Sequence, residues 1–423
     1  MTSRITDVTI TPVAFRDLPL LNNVGVHEPF ALRSVVEVRT EDGFSGLGES
    51  YGDAAHLDRL RAAAQRLPGT DVFDLHAVGR HVAASLTGDT GGGHGMGLQI
   101  TTSNTADRVF SPFEVAALDV QGRLLGRPVS DLLGGAVRDE VAYSAYAFYK
   151  WAGHPGRPDD EWGAALDPAG IVAQVRRMVD EFGFTAVKLK GGAFPPEEEV
   201  EAIRALRAEF PDLPLRLDPN GAWTVETSVW VAEQLDGVLE YLEDPTPGIE
   251  GMAAVAARLE GRVPLATNMC VVAFGHLPTA IAADAVQVVL SDHHFWGGLR
   301  RSQDLARICE VFGKGLSMHS NSHLGISLAA MTHLAAATPN LDYACDTHWP
   351  WKRPEDDVVA PGALGFSGGA VKVPTGPGLG VELDRDALAR LHEQYLRTDV
   401  RERDDTGYMR RFDPEFTPRS GRW

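Results

Sequence analysis

The chain has 423 residues, 44% of them hydrophobic, and carries 39 basic against 58 acidic side chains for a net charge of −19. A chain this long and this apolar can bury a large core and exceeds one small domain, while the acidic balance argues against nucleic acid or an anionic membrane as its partner. No apolar stretch reaches the roughly 18 residues that a membrane span needs. The three cysteines, Cys270, Cys309 and Cys345, are far apart and indicate neither a zinc knuckle nor a disulfide framework, so a reducing cytoplasm is expected.

The N-terminus alternates like a sheet. RITDVTITPVAF and ALRSVVEVRT read as strands, and Asp42-Gly43 between the second strand and the next apolar run predicts a hairpin. Helical patterns follow in HLDRLRAAAQRL, FDLHAVGRHVAASL and SPFEVAALDVQGRLLG. The Gly-rich segment GDTGGGHGMGLQITTSN, from residue 88, has no preceding apolar strand and no Lys-Ser/Thr ending. It reads as a mobile loop and not as a phosphate cradle.

From residue 141 onward the chain repeats. Short apolar runs near 141–147, 184–190, 214–218, 238–243, 264–268, 286–291, 315–320 and 342–346 alternate with segments whose apolar residues recur at i, i+3, i+4. Eight strand–helix units close into a (β/α)₈ barrel. The expected architecture is therefore α/β. An N-terminal α+β capping domain (1–135) precedes a TIM-like barrel (136–375), and a C-terminal segment (376–423) containing VELDRDALARLHEQYL returns to the cap.

Seven polar residues end these runs at a nearly constant pitch: Lys190, Asp218, Glu243, Asn268, Asp292, His319 and Asp346. The carboxyl ends of barrel strands are where such a fold places its chemistry. Asp218, Glu243 and Asn268 offer two carboxylates and an amide on consecutive strands, a donor set for hard, octahedral Mg²⁺. Lys188 and Lys190 share one face of their strand by the period of two. Mutual repulsion and a nearby metal would lower their pKa toward that of a neutral base. His319 and Asp292 end adjacent strands, so an Asp that orients one ring nitrogen would make the other a general base. A metal and two bases approaching from opposite faces suit removal of a proton α to a carboxylate, with the enediolate stabilised electrostatically.

The strings VKLKGG (187–192), LDPNGAW (217–223), LEDP (242–245), ATNM (266–269), SDHHFW (291–296), HSNSHLGISLA (319–329) and DTHW (346–349) resemble the mandelate racemase-like branch of the enolase superfamily and, within it, the glucarate dehydratase family. The resemblance covers nearly the whole chain. It implies Mg²⁺ on Asp218, Glu243 and Asn268, with Lys190 as one acid/base and Lys188 assisting at the substrate carboxylate. His319, supported by Asp292, becomes the second base and the acid for the departing hydroxide. Asn220, Asn268, Ser320, Asn321 and His348 would contact an acid-sugar substrate. His27 and Tyr146 would close over its distal end, and Arg403 would reach its distal carboxylate.

The implied activity is dehydration of an aldarate, D-glucarate or L-idarate, to 5-dehydro-4-deoxy-D-glucarate by a cytoplasmic, homo-oligomeric hydro-lyase. YAFYKWAGHPGRP (146–158) and TPGIEG (246–251) depart from the family pattern, and Glu250 lies close enough in sequence to compete as a ligand. A racemase or dehydratase for another acid sugar, and a paralogue that binds without turnover, remain the alternatives.

Overall fold

The computed structural model describes residues 3–89, 91, 104–418 and 421–423. The Gly-rich loop expected from residue 88 lies, apart from 88, 89, 91 and 104, outside these residues. The first three long strands, β1 (Ile5–Arg16), β2 (Phe30–Thr40) and β3 (Ser45–Tyr51), form an antiparallel sheet in the order β1-β2-β3. The expected hairpin is present, and Gly43 supplies the φ of +82° that its turn requires.

Three helices cover this sheet: α1 (Ala54–Ala64), α2 (Leu75–Ser85) and α3 (Thr105–Leu125). Helix α3 lies directly on β3 because Gly46 and Gly48 carry no side chain. A Cβ at those positions would stand 2.0 Å from the Ala116 carbonyl oxygen and 2.1 Å from that of Pro112. Gly126, at φ +65°, ends α3 in the left-handed conformation.

Seven parallel strands follow in unbroken order: β4 (Ala145–Phe148), β5 (Val187–Lys190), β6 (Leu215–Asp218), β7 (Leu239–Glu243), β8 (Leu265–Thr267), β9 (Val288–Ser291) and β10 (Gly315–Met318). Helices α4 (Pro168–Phe182), α5 (Pro196–Glu209), α6 (Val225–Gln234), α7 (Gly248–Leu259), α8 (Leu277–Ala282), α9 (Gly298–Val311) and α10 (Gly325–Ala336) connect or follow them. Local signals set their ends. Asp167 and Thr224 cap α4 and α6 by accepting the backbone N–H three residues on, and Gly183 closes α4 at φ +75°. This is a modified TIM barrel.

The eighth expected strand, 342–346, differs from the reading. The segment closes the gap between β10 and β4, since Asp342 and Asp346 N–H donate to Leu316 and Met318, and Ser144 N–H donates to Cys345. It does not extend into a ladder. The Ala344 carbonyl is taken by side chains, Arg216 Nη1 at 2.8 Å and Ser317 Oγ at 3.2 Å.

The tail crosses back to the first sheet. Helix α11 (Arg385–Arg397) packs on β1, with Gln394 Nε2 donating to the Ala14 carbonyl at 2.8 Å. A short helix, α12 (Asp405–Met409), then meets Gly25, whose absent Cβ would stand 2.4 Å from the Asp405 carbonyl. Among the described residues no helix is long and apolar enough to cross a membrane.

Candidate active site

The strand ends converge as their pitch implies, and they carry a surplus of negative charge. Lys188 Nζ lies 2.7 Å from Asp346 Oδ2, 2.6 Å from Glu243 Oε2 and 3.4 Å from Asp218 Oδ2. Lys190 Nζ donates to Asp218 Oδ2 at 2.6 Å and to Asn220 Oδ1 at 2.7 Å. Three carboxylates thus face two ammonium groups.

All of these side chains are buried, and the charges resolve accordingly. Burial works to lower the Lys188 pKa, but Asp346 and Glu243 outweigh it and hold it well above its ordinary value. The carboxylates around Lys188 thus outweigh both burial and its lysine neighbour. Burial works to raise Asp218, yet Lys190 and Lys188 bring it below its usual value. Glu243 is the surplus charge. Burial, with Asp218 and Asp346 nearby, lifts it well above the carboxylate range despite Lys188. Its contact with Lys188 is a charge pair without a hydrogen-bond angle, and Glu243 Oε1 has no hydrogen-bond partner.

A buried carboxylate short of donors, beside a second carboxylate and an amide, is a donor set that fits a hard divalent cation. Asn268 is brought to this cluster by a residue the sequence reading passed over. Asp244, at φ +39°, accepts from the backbone N–H of Asn268 at 2.7 Å and of Met269 at 3.0 Å, and from Thr267 Oγ1 at 2.6 Å. Glu250 is exposed in the first turn of α7, so it does not compete as a ligand.

Across the sheet, four strands away from β5, the loop after β9 and the end of β10 bring Asp292 and His319 together. His319 Nδ1 is 3.0 Å from Asp292 Oδ2. Burial works to raise Asp292, but His294 and His319 hold it well below the carboxylate range. An ionised carboxylate only accepts, so His319 Nδ1 carries a proton, which in the neutral imidazole leaves the lone pair on Nε2.

The remaining predicted residues divide. Ser320 Oγ is 3.2 Å from His348 Nδ1, and His348 Nε2 is buried without a partner. His27, on the loop between β1 and β2, is oriented by Asp17 through Nδ1 at 3.1 Å and also leaves a buried, unpartnered Nε2. Asn321 Nδ2 donates to the Tyr51 hydroxyl at 3.0 Å. The hydroxyl of Tyr146 donates to Asp218 Oδ2 at 3.2 Å and its ring lies 4.6 Å from Lys188 Nζ. It thus belongs to the carboxylate–lysine end and not to a distal closure.

Arg403 closes a two-pronged pair on Asp405, at 2.8 and 2.9 Å. It also lines a small cavity of about 30 Å³ with Tyr51, Asn321 and Arg33. Asp346, the last of the seven strand-end residues, is a direct partner of Lys188.

Comparison with known proteins places the chain in a family. The family model described as "Enolase C-terminal domain-like" matches residues 170–387. A probable glucarate dehydratase of Streptomyces coelicolor is 54% identical over 437 aligned positions, covering 99% of each chain. The chain belongs to the glucarate dehydratase family of the enolase superfamily. It is a hydro-lyase, and acid-sugar dehydration is the activity of its group.

Solved structures are equally similar. An enolase from Gibberella zeae PH-1, complexed with magnesium, formate and sulfate, superposes with a TM-score of 0.97 at 65% identity, covering 100% of this chain and 98% of that one. An enolase from Pseudomonas fluorescens Pf0-1, with bound magnesium, potassium and tartrate, gives 0.96 at 50% identity and covers 100% of both chains.

Proposed function

We propose that the enzyme dehydrates an aldarate in a Mg²⁺-dependent reaction, with D-glucarate and its epimer L-idarate as substrates and 5-dehydro-4-deoxy-D-glucarate as product. The observation that carries this reading is the division of the site into two ends: an over-acidic cluster at Asp218, Glu243 and Asn268, and an oriented His319–Asp292 pair. Asp218, Glu243 and Asn268 would hold the ion, as the magnesium in the similar enolases supports. When bound, Mg²⁺ supplies positive charge to the substrate carboxylate as the α-proton leaves.

The chain's own residues do the rest. Lys188, a fully buried ammonium, faces the same carboxylate and favours the enediolate over the acid. His319 Nε2 takes the C5 proton of D-glucarate, and Asp292 stabilises the imidazolium that results. The C4 hydroxyl then leaves as water, with His319 returning the proton to that oxygen, and the enol tautomerises to the ketone. Lys190, reaching the substrate from the other side, serves the epimer. His27 and His348 offer buried Nε2 atoms to the substrate hydroxyls. The cap expected from residues 1–135 and 376–423 would cover the bound substrate.

A library of diacid and monoacid sugars incubated with enzyme and Mg²⁺, scored for α-keto acid, tests the reading. Product from D-glucarate is expected. Product from monoacid sugars alone would replace the aldarate with another acid sugar.

A further inference from the structure

We propose that Arg33, on the N-terminal sheet, fixes the tautomer of His294 and, through Asp292, the placement of the proton on His319: it is a positioning residue for the catalytic base, supplied from outside the barrel. The role toward catalysis rests on the reading of His319 as a base; the tautomer assignment does not.

The chain of contacts is continuous and buried. Arg33 Nη2 lies 2.9 Å from His294 Nε2. A guanidinium has donors and no acceptor, so Nε2 of His294 must accept and its proton must sit on Nδ1. That nitrogen is 2.9 Å from Asp292 Oδ1, and the backbone N–H of His294 donates to the same oxygen at 2.9 Å. Asp292 Oδ1 is thereby filled by two N–H groups. Oδ2 is left for His319 Nδ1.

Ser327 Oγ stands 3.0 Å from His294 Nε2 and 3.5 Å from Arg33 Nη2. A hydroxyl that donates to Nε2 reinforces the same tautomer, and one that accepts from Arg33 leaves it unchanged.

Arg33 is itself held. Its Nε donates to Glu49 Oε1 at 2.8 Å, and the Tyr51 ring lies 4.6 Å from the guanidinium carbon. Glu49 also accepts the backbone N–H groups of Leu324 at 2.9 Å and Ser327 at 2.8 Å. These are the residues that lead from His319 into α10, so one carboxylate ties the first sheet to the segment after the base. The ligand-type atoms of Asp292, His293 and His294 lie within 4.8 Å of one another, but a cation already stands against them in Arg33. Other ionisable groups that face His294 are His56 and Tyr51 from the N-terminal elements and His293 from its own loop.

The test is a histidine ¹⁵N-imidazole spectrum of the full-length protein, with His294 assigned by its loss in His294→Gln. Wild type should show His294 protonated on Nδ1 between about pH 6 and 8. The double variant Arg33→Met/Glu49→Gln removes both charges, leaving no unpaired buried ion, and keeps a carbonyl acceptor for one of the Leu324 and Ser327 N–H groups. In it Asp292 alone holds the proton on Nδ1, so the Nε2–H fraction of His294 should rise above its wild-type level, and kcat on an acid sugar should fall about tenfold or more with KM little changed. An Nε2–H signal for His294 in wild type overturns the proposal, whether or not the variant folds. A tautomer fraction in the folded variant equal to that of wild type also overturns it. Expected spectra in an enzyme that turns over no acid sugar would remove the functional reading and leave the tautomer assignment in place.

Discussion

Replacing Glu243 by Gln separates what this carboxylate does for the fold from what it does for a cation. Glu243 is the surplus anion among Asp218, Asp346 and itself, against Lys188 and Lys190. Its Oε1 has no partner, and a buried acceptor left unsatisfied costs about 1–3 kcal/mol. Lys188 keeps Asp346 at 2.7 Å and Asp218 at 3.4 Å after the change. Metal-free Glu243→Gln should therefore be within about 1 kcal/mol of wild type. A ligand at a hundred times its dissociation constant adds about 2.7 kcal/mol to a folded state that binds it, and losing one of two carboxylate ligands removes most of that. Unfolding followed in chelator and then across a Mg²⁺ titration reads both quantities. Wild type should gain stability with Mg²⁺ and the variant should not. A variant that loses several kcal/mol in chelator yet keeps the full Mg²⁺ response would assign Glu243 to the fold and refute the reasoning.

Asp292→Asn should lower kcat by about 10²–10⁴-fold with little change in KM, because the amide no longer stabilises the imidazolium; steady-state kinetics at saturating acid sugar check this, and a loss confined to KM would contradict it. Burial depresses His323 and His333 to about 4. Their unfolded forms bind protons near pH 6.5 while the folded forms do not, so stability is full above about 6.5 and is lost as pH falls from there toward about 4. Denaturant midpoints measured across that range should fall less toward low pH in His323→Gln than in wild type, and identical profiles would show that this histidine titrates freely in the fold.

Much of this site was legible in the sequence because barrel chemistry is periodic. A polar residue at the end of each short apolar run is visible from one strand to the next, which is why Lys190, Asp218, Glu243, Asn268, Asp292 and His319 could be read together. The eighth unit misled for a physical reason. The Ala344 carbonyl bonds to the side chains of Arg216 and Ser317 in place of a ladder, and Asp346 turns inward to Lys188. Glu250 drew attention by nearness in sequence, whereas the helical first turn carries it to the surface. Arg33, Glu49 and Tyr51 gave no signal. They sit in an ordinary alternating sheet, and their partners lie hundreds of residues away, 261 in the case of Arg33 and His294. Asp244 was hidden in LEDP beside the more prominent Glu243, and its role emerges only from its bonds to Thr267, Asn268 and Met269.

The central claim is that His319, held by Asp292, removes the α-proton of an aldarate. Its most direct test compares wild type with His319→Asn on D-glucarate and Mg²⁺, measuring α-keto acid formed over time. Wild type should accumulate product while the variant, folded and still binding Mg²⁺, forms none. Turnover by the variant at the wild-type rate would contradict the claim.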